Sequence, residues 1–111
     1  MVDSKTQVIL ALDVESRSKA ESILEATGDK LQWVKIGLQT YLRDGPAFLR
    51  DVAASGKSIF LDLKLNDIPT TCSAAIRSLK DIRNINYITL HANAGEETIK
   101  AVVKSAKKNK S

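Results

Sequence analysis

Along the chain, apolar runs of strand length alternate four times with longer segments whose apolar residues recur at helical spacing. The first run, Val8-Ile9-Leu10-Ala11-Leu12, ends at Asp13. In the segment that follows, from Glu15 to Ala26, residues Ala20, Ile23, Leu24 and then Thr27 fall three and four apart, and Gly28 stands where a helix would stop. The second run, Leu31 to Ile36, ends near Lys35 and Gly37. It is followed by a helical stretch from about Pro46 to Ser55, with Pro46 suited to a first turn and Gly56 just past the end. The third run, Ser58 to Lys64, precedes a helix opened by Pro69-Thr70-Thr71 and reaching Leu79 or Arg83. The fourth, Tyr87 to His91, leads through Asn93-Ala94-Gly95 to a helix starting near Glu96. That helix has acids in its first turn and lysines in its last, as the helix dipole favours.

Near-continuous apolar strands joined by helices predict a parallel sheet buried on both faces, so the expected class is α/β and the expected order is (βα)4. No linker or low-complexity stretch divides residues 1–111, which are expected to form one domain. The spacing of the four units is uneven, and no sequence repeat is inferred.

Composition narrows the partners. With 43% hydrophobic and 27% charged residues the chain fits a soluble globular domain and not a disordered one. The formal charge of +4 would suit a nucleic-acid partner, but it is local. Residues 99–111 hold five lysines and no acid, so the rest of the chain carries one net negative charge, and the Lys-rich end at about 100–111 has no Arg and no aromatic on which a base could stack. Nucleic acid is therefore not an expected partner. No apolar stretch is long enough to span a membrane. The start MVDSKTQ is unlike a secretory leader, and the single Cys72 cannot close an intramolecular disulfide, so a reducing, cytoplasmic setting is expected.

Chemistry is concentrated where the strands end. Asp13, Lys35 and His91 lie at the ends of the first, second and fourth runs, and Asp62 and Lys64 at the end of the third. Positions i and i+2 of a strand share a face, so Asp62 and Lys64 are expected side by side. One charged residue at a strand end can simply be turning towards solvent. Four strands ending this way, with both signs present, point to the C-terminal rim at which parallel α/β folds build active sites. An acid and a base on one face of a buried strand must pair or line a cavity. His91 fits a hydrogen-bonded structural role as well as a catalytic one, and with no second His there is no basis for a metal site or a triad. Cys72, early in a helix, is expected to pack as a small apolar side chain. No glycine-rich phosphate loop, CxxC or GxSxG pattern is present.

The segment Asp62-Leu63-Lys64-Leu65-Asn66-Asp67-Ile68-Pro69-Thr70-Thr71 resembles the D-x-K-x-x-D-I-P-x-T signature of the orotidine 5′-phosphate decarboxylase family. Ala11-Leu12-Asp13, Val34-Lys35-Ile36-Gly37 and Thr89-Leu90-His91-Ala92 agree with that family at the other strand ends, in order, over essentially the whole chain. The resemblance implies decarboxylation of orotidine 5′-monophosphate to UMP in pyrimidine biosynthesis, with no metal and no organic cofactor. It implies a charge array of Lys35, Asp62, Lys64 and Asp67, with Lys64 donating a proton to the carbon that loses carbon dioxide. Asp13 and Lys35 would contact the ribose, and His91 is counted with the substrate-binding residues. Asp67, Ile68 and Thr71 would reach the neighbouring subunit's site across a homodimer interface. The residue types suit this chemistry, because an ammonium stabilises negative charge left on carbon and can protonate it, and flanking carboxylates keep that ammonium charged.

The same resemblance sets the fold expectation, a (βα)4 parallel half-barrel corresponding to the first half of a TIM (βα)8 barrel. A full barrel takes at least about 200 residues, and the family's later strands supply a pyrimidine-contacting serine and the loops that grip the phosphate. A chain without that grip is expected to be slow, since binding energy from the remote phosphate normally accelerates chemistry at the reacting carbon. Four strands also leave two open edges and an uncovered inner face, which favours self-association. A non-catalytic, self-associating half-barrel is thus one alternative. A magnesium-dependent sugar-phosphate decarboxylase or synthase of the same barrel family is another; those relatives carry an acidic ligand where this chain has Lys35, and lack the Ile-Pro-x-Thr continuation.

Overall fold

The computed structural model describes residues 6–109. Most of the MVDSKTQ start and the last two residues of the Lys-rich end lie outside the described residues. Strands β1 (Ile9–Ala11), β2 (Trp33–Gly37), β3 (Ser58–Leu65) and β4 (Ile85–Leu90) alternate with helices α1 (Arg17–Thr27), α2 (Leu38–Ala54), α3 (Pro69–Arg77) and α4 (Glu96–Lys108). The strands form one parallel sheet in the order β1-β2-β3-β4, which is the expected α/β arrangement. No described helix is long and apolar enough to cross a membrane.

The two faces of the sheet differ in what covers them. Register alignment puts Val34 beside Ile59 and Ile36 beside Leu61, and all four are fully buried under the helices with Leu12, Ala20, Phe48, Leu49 and Val52. The opposite face carries Ala11, Lys35, Phe60 and Tyr87 in one row, with Trp33 one level below. No described helix covers this row, so the sheet is not buried on both faces as the strand pattern predicts, and Tyr87 is 57% exposed with its ring against both Trp33 and Phe60. A smaller apolar cluster of Cys72, Ile76 and Val102 holds α3 to α4, and Asn109 closes it by donating from Nδ2 to the Ile76 carbonyl at 2.7 Å.

Local chemistry explains the element ends. Ser16 caps α1 by accepting the Lys19 N–H, and Gly28 ends it at φ 49. Helix α2 starts eight residues earlier than the periodicity predicted. It consists of two helical segments joined at Gly45, whose φ of 69° and ψ of −170° belong to neither, and Pro46 begins the second segment as expected. The first segment, Leu38 to Asp44, follows β2 directly with only Gly37 as its N-cap. Helix α3 stops at Arg77, short of the predicted Leu79 or Arg83, and turns lead from there to Asn84. Arg17 pairs with Glu21 on its own helix and, across to α2, with Asp51 while lying over the Phe48 ring. The buried Lys57 ammonium donates to the carbonyls of Gly28 and Leu31, tying the start of β3 to the turn before β2.

Candidate active site

Charged side chains gather at the C-terminal ends of β1, β2 and β3, on the uncovered face. Continuing the register from Ala11 and Lys35, Asp13 falls beside Gly37, which pairs with Asp62. The middle position of this row therefore has no side chain. A Cβ at Gly37 would lie 3.3 Å from Asp13 Oδ1, closer than side chains ordinarily approach. Into the gap rises the Lys35 side chain from the row below, its Nζ 3.7 Å from Asp13 Oδ2 and 3.8 Å from Asp62 Oδ2. One ammonium thus bridges two carboxylates that would otherwise repel.

On the other side of Asp62 stands Lys64, its Nζ donating to Asp62 Oδ2 at 2.8 Å. The two share a face as strand alternation predicts, but the strand around them is irregular. Leu61 pairs with Ile88 and Leu65 with Leu90, so Asp62, Leu63 and Lys64 together face the single residue Thr89. Lys64 absorbs the excess length in the left-handed region at φ 49, which is rare for a residue with a Cβ. Its N–H donates to Thr89 Oγ1 at 2.8 Å, and the Thr89 hydroxyl donates to Asp62 Oδ1 at 2.7 Å.

Asp62 is consequently the anchor of the site. Its side chain is only 12% exposed, whereas that of Lys64 is 67% exposed. The hydrogen bond from Lys64, then that from Thr89, hold its carboxyl below the ordinary aspartate value against the opposing effect of burial, with the charges of Lys64 and Lys35 adding to the depression. The arrangement is a fixed, desolvated anion flanked by two cations, one of them reaching solvent. It can repel or attract charge on a bound molecule without reorganising.

The remaining residues expected at the site lie around this centre. Asp67 forms no ion pair with a described cation; its Oδ1 accepts the Ile68 N–H at 2.7 Å and its carbonyl accepts the Thr98 hydroxyl at 2.8 Å. Asp67 and the 63% exposed Ile68 line a cavity of about 490 Å³ between the loops that lead into α3 and α4. Thr71 is exposed in the first turn of α3. His91 is exposed just after β4, and its Nδ1 accepts the Asn93 N–H at 3.1 Å, which caps the turn of Ala92 to Ala94. The structure therefore joins Asp13, Lys35, Asp62 and Lys64 and leaves Asp67, Ile68, Thr71 and His91 outside that network. Sequence reasoning missed Gly37 and Thr89 as parts of the site. Their signals were strand phase, Gly37 two residues after Lys35 and Thr89 two before His91, and their place in the strand-end segments that resemble the family. Among the described residues no group of three or more His, Cys, Asp or Glu side chains is placed to hold a metal ion.

Comparison with known proteins bears on the family and the fold. A family model described as Orotidine 5'-phosphate decarboxylase / HUMPS family matches residues 6–111. An orotidine 5'-phosphate decarboxylase of Carboxydothermus hydrogenoformans is 37% identical over 95 residues, which make up 86% of this chain and 39% of that protein. One from Fusobacterium nucleatum is 38% identical over 96 residues, 86% of this chain and 40% of that protein. Among solved structures, orotidine 5'-phosphate decarboxylase from Lactobacillus acidophilus superposes with a TM-score of 0.82 at 31% identity, over 91% of this chain and 45% of that one. The Methanocaldococcus jannaschii protein complexed with inhibitor BMP gives 0.81 at 30% identity, over 92% and 47%. The chain spans about two fifths of the length of these curated relatives and just under half of the solved chains, so its four units correspond to half of a TIM-type barrel. It belongs to the Orotidine 5'-phosphate decarboxylase / HUMPS family.

Proposed function

We propose that this chain carries the charged half of an orotidine 5′-monophosphate decarboxylase site. The observation that supports it most directly is the Lys35–Asp62–Lys64 cluster on the uncovered face, with Asp62 held ionised between two ammonium groups. A substrate carboxylate placed beside Asp62 meets a fixed negative charge, while Lys64 faces the carbon that bears it. As the bond to carbon dioxide breaks, its electron pair stays on the ring carbon, and a proton moves from Lys64 Nζ to that carbon, leaving a neutral amine that solvent reprotonates. The 67% exposure of the Lys64 side chain allows both the approach and the reprotonation. Asp13 and Lys35 are assigned to the ribose. Asp67, Ile68 and Thr71, exposed on the same rim, are assigned to a partner subunit's site across a homodimer interface, and His91 to the substrate-binding rim through its backbone turn. This proton transfer uses neither metal nor organic cofactor, and a cytoplasmic setting goes with the nucleotide substrate and the free thiol of Cys72.

The magnesium-dependent reading is less well supported, because an ammonium already fills the space between Asp13 and Asp62 where a cation would be shared. The self-associating half-barrel is favoured by a separate observation, the clustering of Trp33, Phe60 and Tyr87 on the bare face of a sheet with two open edges. The chain covers a little under half of each solved barrel, and a twofold axis parallel to the strands would set β4 of each copy beside β1 of the other.

The decarboxylase reading is tested by grafting residues 6–109 in place of the matching segment of the Carboxydothermus relative and following loss of pyrimidine absorbance from orotidine 5′-monophosphate. The graft should turn over, and Lys64→Ala should reduce kcat by at least about 100-fold, the scale of a lost general acid. A graft that keeps its rate without Lys64 overturns the assignment.

A further inference from the structure

We propose that Thr89 is a positioning residue of the site, its hydroxyl joining the bulged backbone of Lys64 to the carboxylate of Asp62. Three residues of β3 face this one residue of β4, so the regular ladder has no partner in register for the Lys64 N–H. The Thr89 hydroxyl accepts that N–H at 2.8 Å and donates its own hydrogen bond to Asp62 Oδ1 at 2.7 Å. The ladder resumes immediately afterwards, where the His91 N–H donates to the Leu65 carbonyl at 2.8 Å. A hydroxyl that both accepts and donates is required here; a side chain with only one of these functions would leave either the amide or the carboxylate unpaired.

The division of labour on Asp62 follows. Thr89 donates to Oδ1, and both Lys64 Nζ at 2.8 Å and Lys35 Nζ at 3.8 Å lie nearest the other oxygen, Oδ2. Thr89 thereby fixes the rotation of the carboxylate and the side from which Lys64 approaches it. The same bond holds the Lys64 backbone in its left-handed conformation, a state that neighbouring structure must impose. A β-branched side chain, stiff about χ1, suits that role.

The catalytic part of this proposal rests on the decarboxylase reading, and its structural part does not. The groups facing Asp62 are Lys64 on its own strand, Lys35 from β2 with Asp13 beyond it, and Thr89 from β4. The test uses the intact chain and three variants, Thr89→Val, Thr89→Ser and, should the Val form fail to fold, Thr89→Ala in its place. Carboxyl-carbon NMR follows the titration of Asp62, and amide exchange follows Lys64. Loss of the hydroxyl should raise the Asp62 midpoint towards the ordinary aspartate value and speed Lys64 exchange roughly three- to tenfold, the effect of one net hydrogen bond. Thr89→Ser should restore both. Unchanged titration and exchange in the Val or Ala form, or the same change in Ser as in Val, overturn the proposal. In the grafted enzyme Thr89→Val should lower kcat roughly 10- to 100-fold with KM little changed, and Thr89→Ser should recover it. A graft with no turnover in any form counts against the decarboxylase reading, while the NMR outcome still decides the role of Thr89.

Discussion

Lys64 holds two properties in one residue that can be separated by substitution. Its ammonium pairs with Asp62, and its backbone occupies a left-handed conformation that costs a residue with a Cβ about 1–2 kcal/mol. Lys64→Gly removes both the charge and the strain, whereas Lys64→Ala removes only the charge. In urea denaturation the Gly variant should therefore be more stable than the Ala variant by about 1 kcal/mol. Equal stability would mean that the bulge accommodates the Cβ without cost. Asp62 makes a different prediction, about pH. Its folded carboxyl titrates below the ordinary value of 3.8, so the unfolded state takes up protons first on acidification. Its stabilising contribution is complete above that ordinary value and disappears as the pH falls through the lower folded one. Between neutral pH and pH 3 the native chain should lose more stability than Asp62→Asn. The Asp44 carboxyl, lowered by its hydrogen bond from Arg43, contributes in both proteins and cancels from the comparison.

Among the elements, Gly45 is the most constrained position in α2. Its φ and ψ fall in a region that is essentially restricted to glycine, and a Cβ there would meet nothing within 4 Å. Gly45→Ala should thus destabilise the chain by about 1–3 kcal/mol through backbone conformation alone, as a denaturation midpoint would show. The same joint limited what the sequence could reveal. Pro46 after Gly45 reads as a helix start, and correctly, but it hides the helical segment from Leu38 to Asp44, which has no polar side-chain cap to announce it. The four strands and the helices, apart from the first segment of α2 and the far end of α3, were legible because apolar period is set locally. So was the meeting of Asp62 with Lys64, since strand alternation needs no knowledge of neighbours. The roles of Gly37 and Thr89 were not legible, because each depends on register with another strand: Gly37 on Asp13 and Asp62 to either side, Thr89 on the bulge opposite it.

For the whole molecule, the decisive asymmetry is between a sheet face packed under helices and one left bare. The bare face presents aromatic rings from β2, β3 and the edge strand β4, and among the described residues β1 and β4 each pair on one side only. If two copies close on one another, sedimentation should show a concentration-dependent dimer at micromolar loading, and Tyr87→Lys, which sets a charge in the middle of the aromatic row, should shift the population to monomer. A wild-type chain that sediments as a monomer throughout removes the self-associating reading and counts against the homodimer role of Asp67, Ile68 and Thr71, while the role of Lys64 is decided by the grafted enzyme. The position of Trp33 makes the event visible without any label. It is the sole tryptophan of the chain, half-buried on the bare face and 5.4 Å from the Tyr87 ring. Its emission is thus a built-in optical gauge of whatever covers that face, shifting to the blue as water leaves the indole and reporting closure separately from chemistry at the rim above.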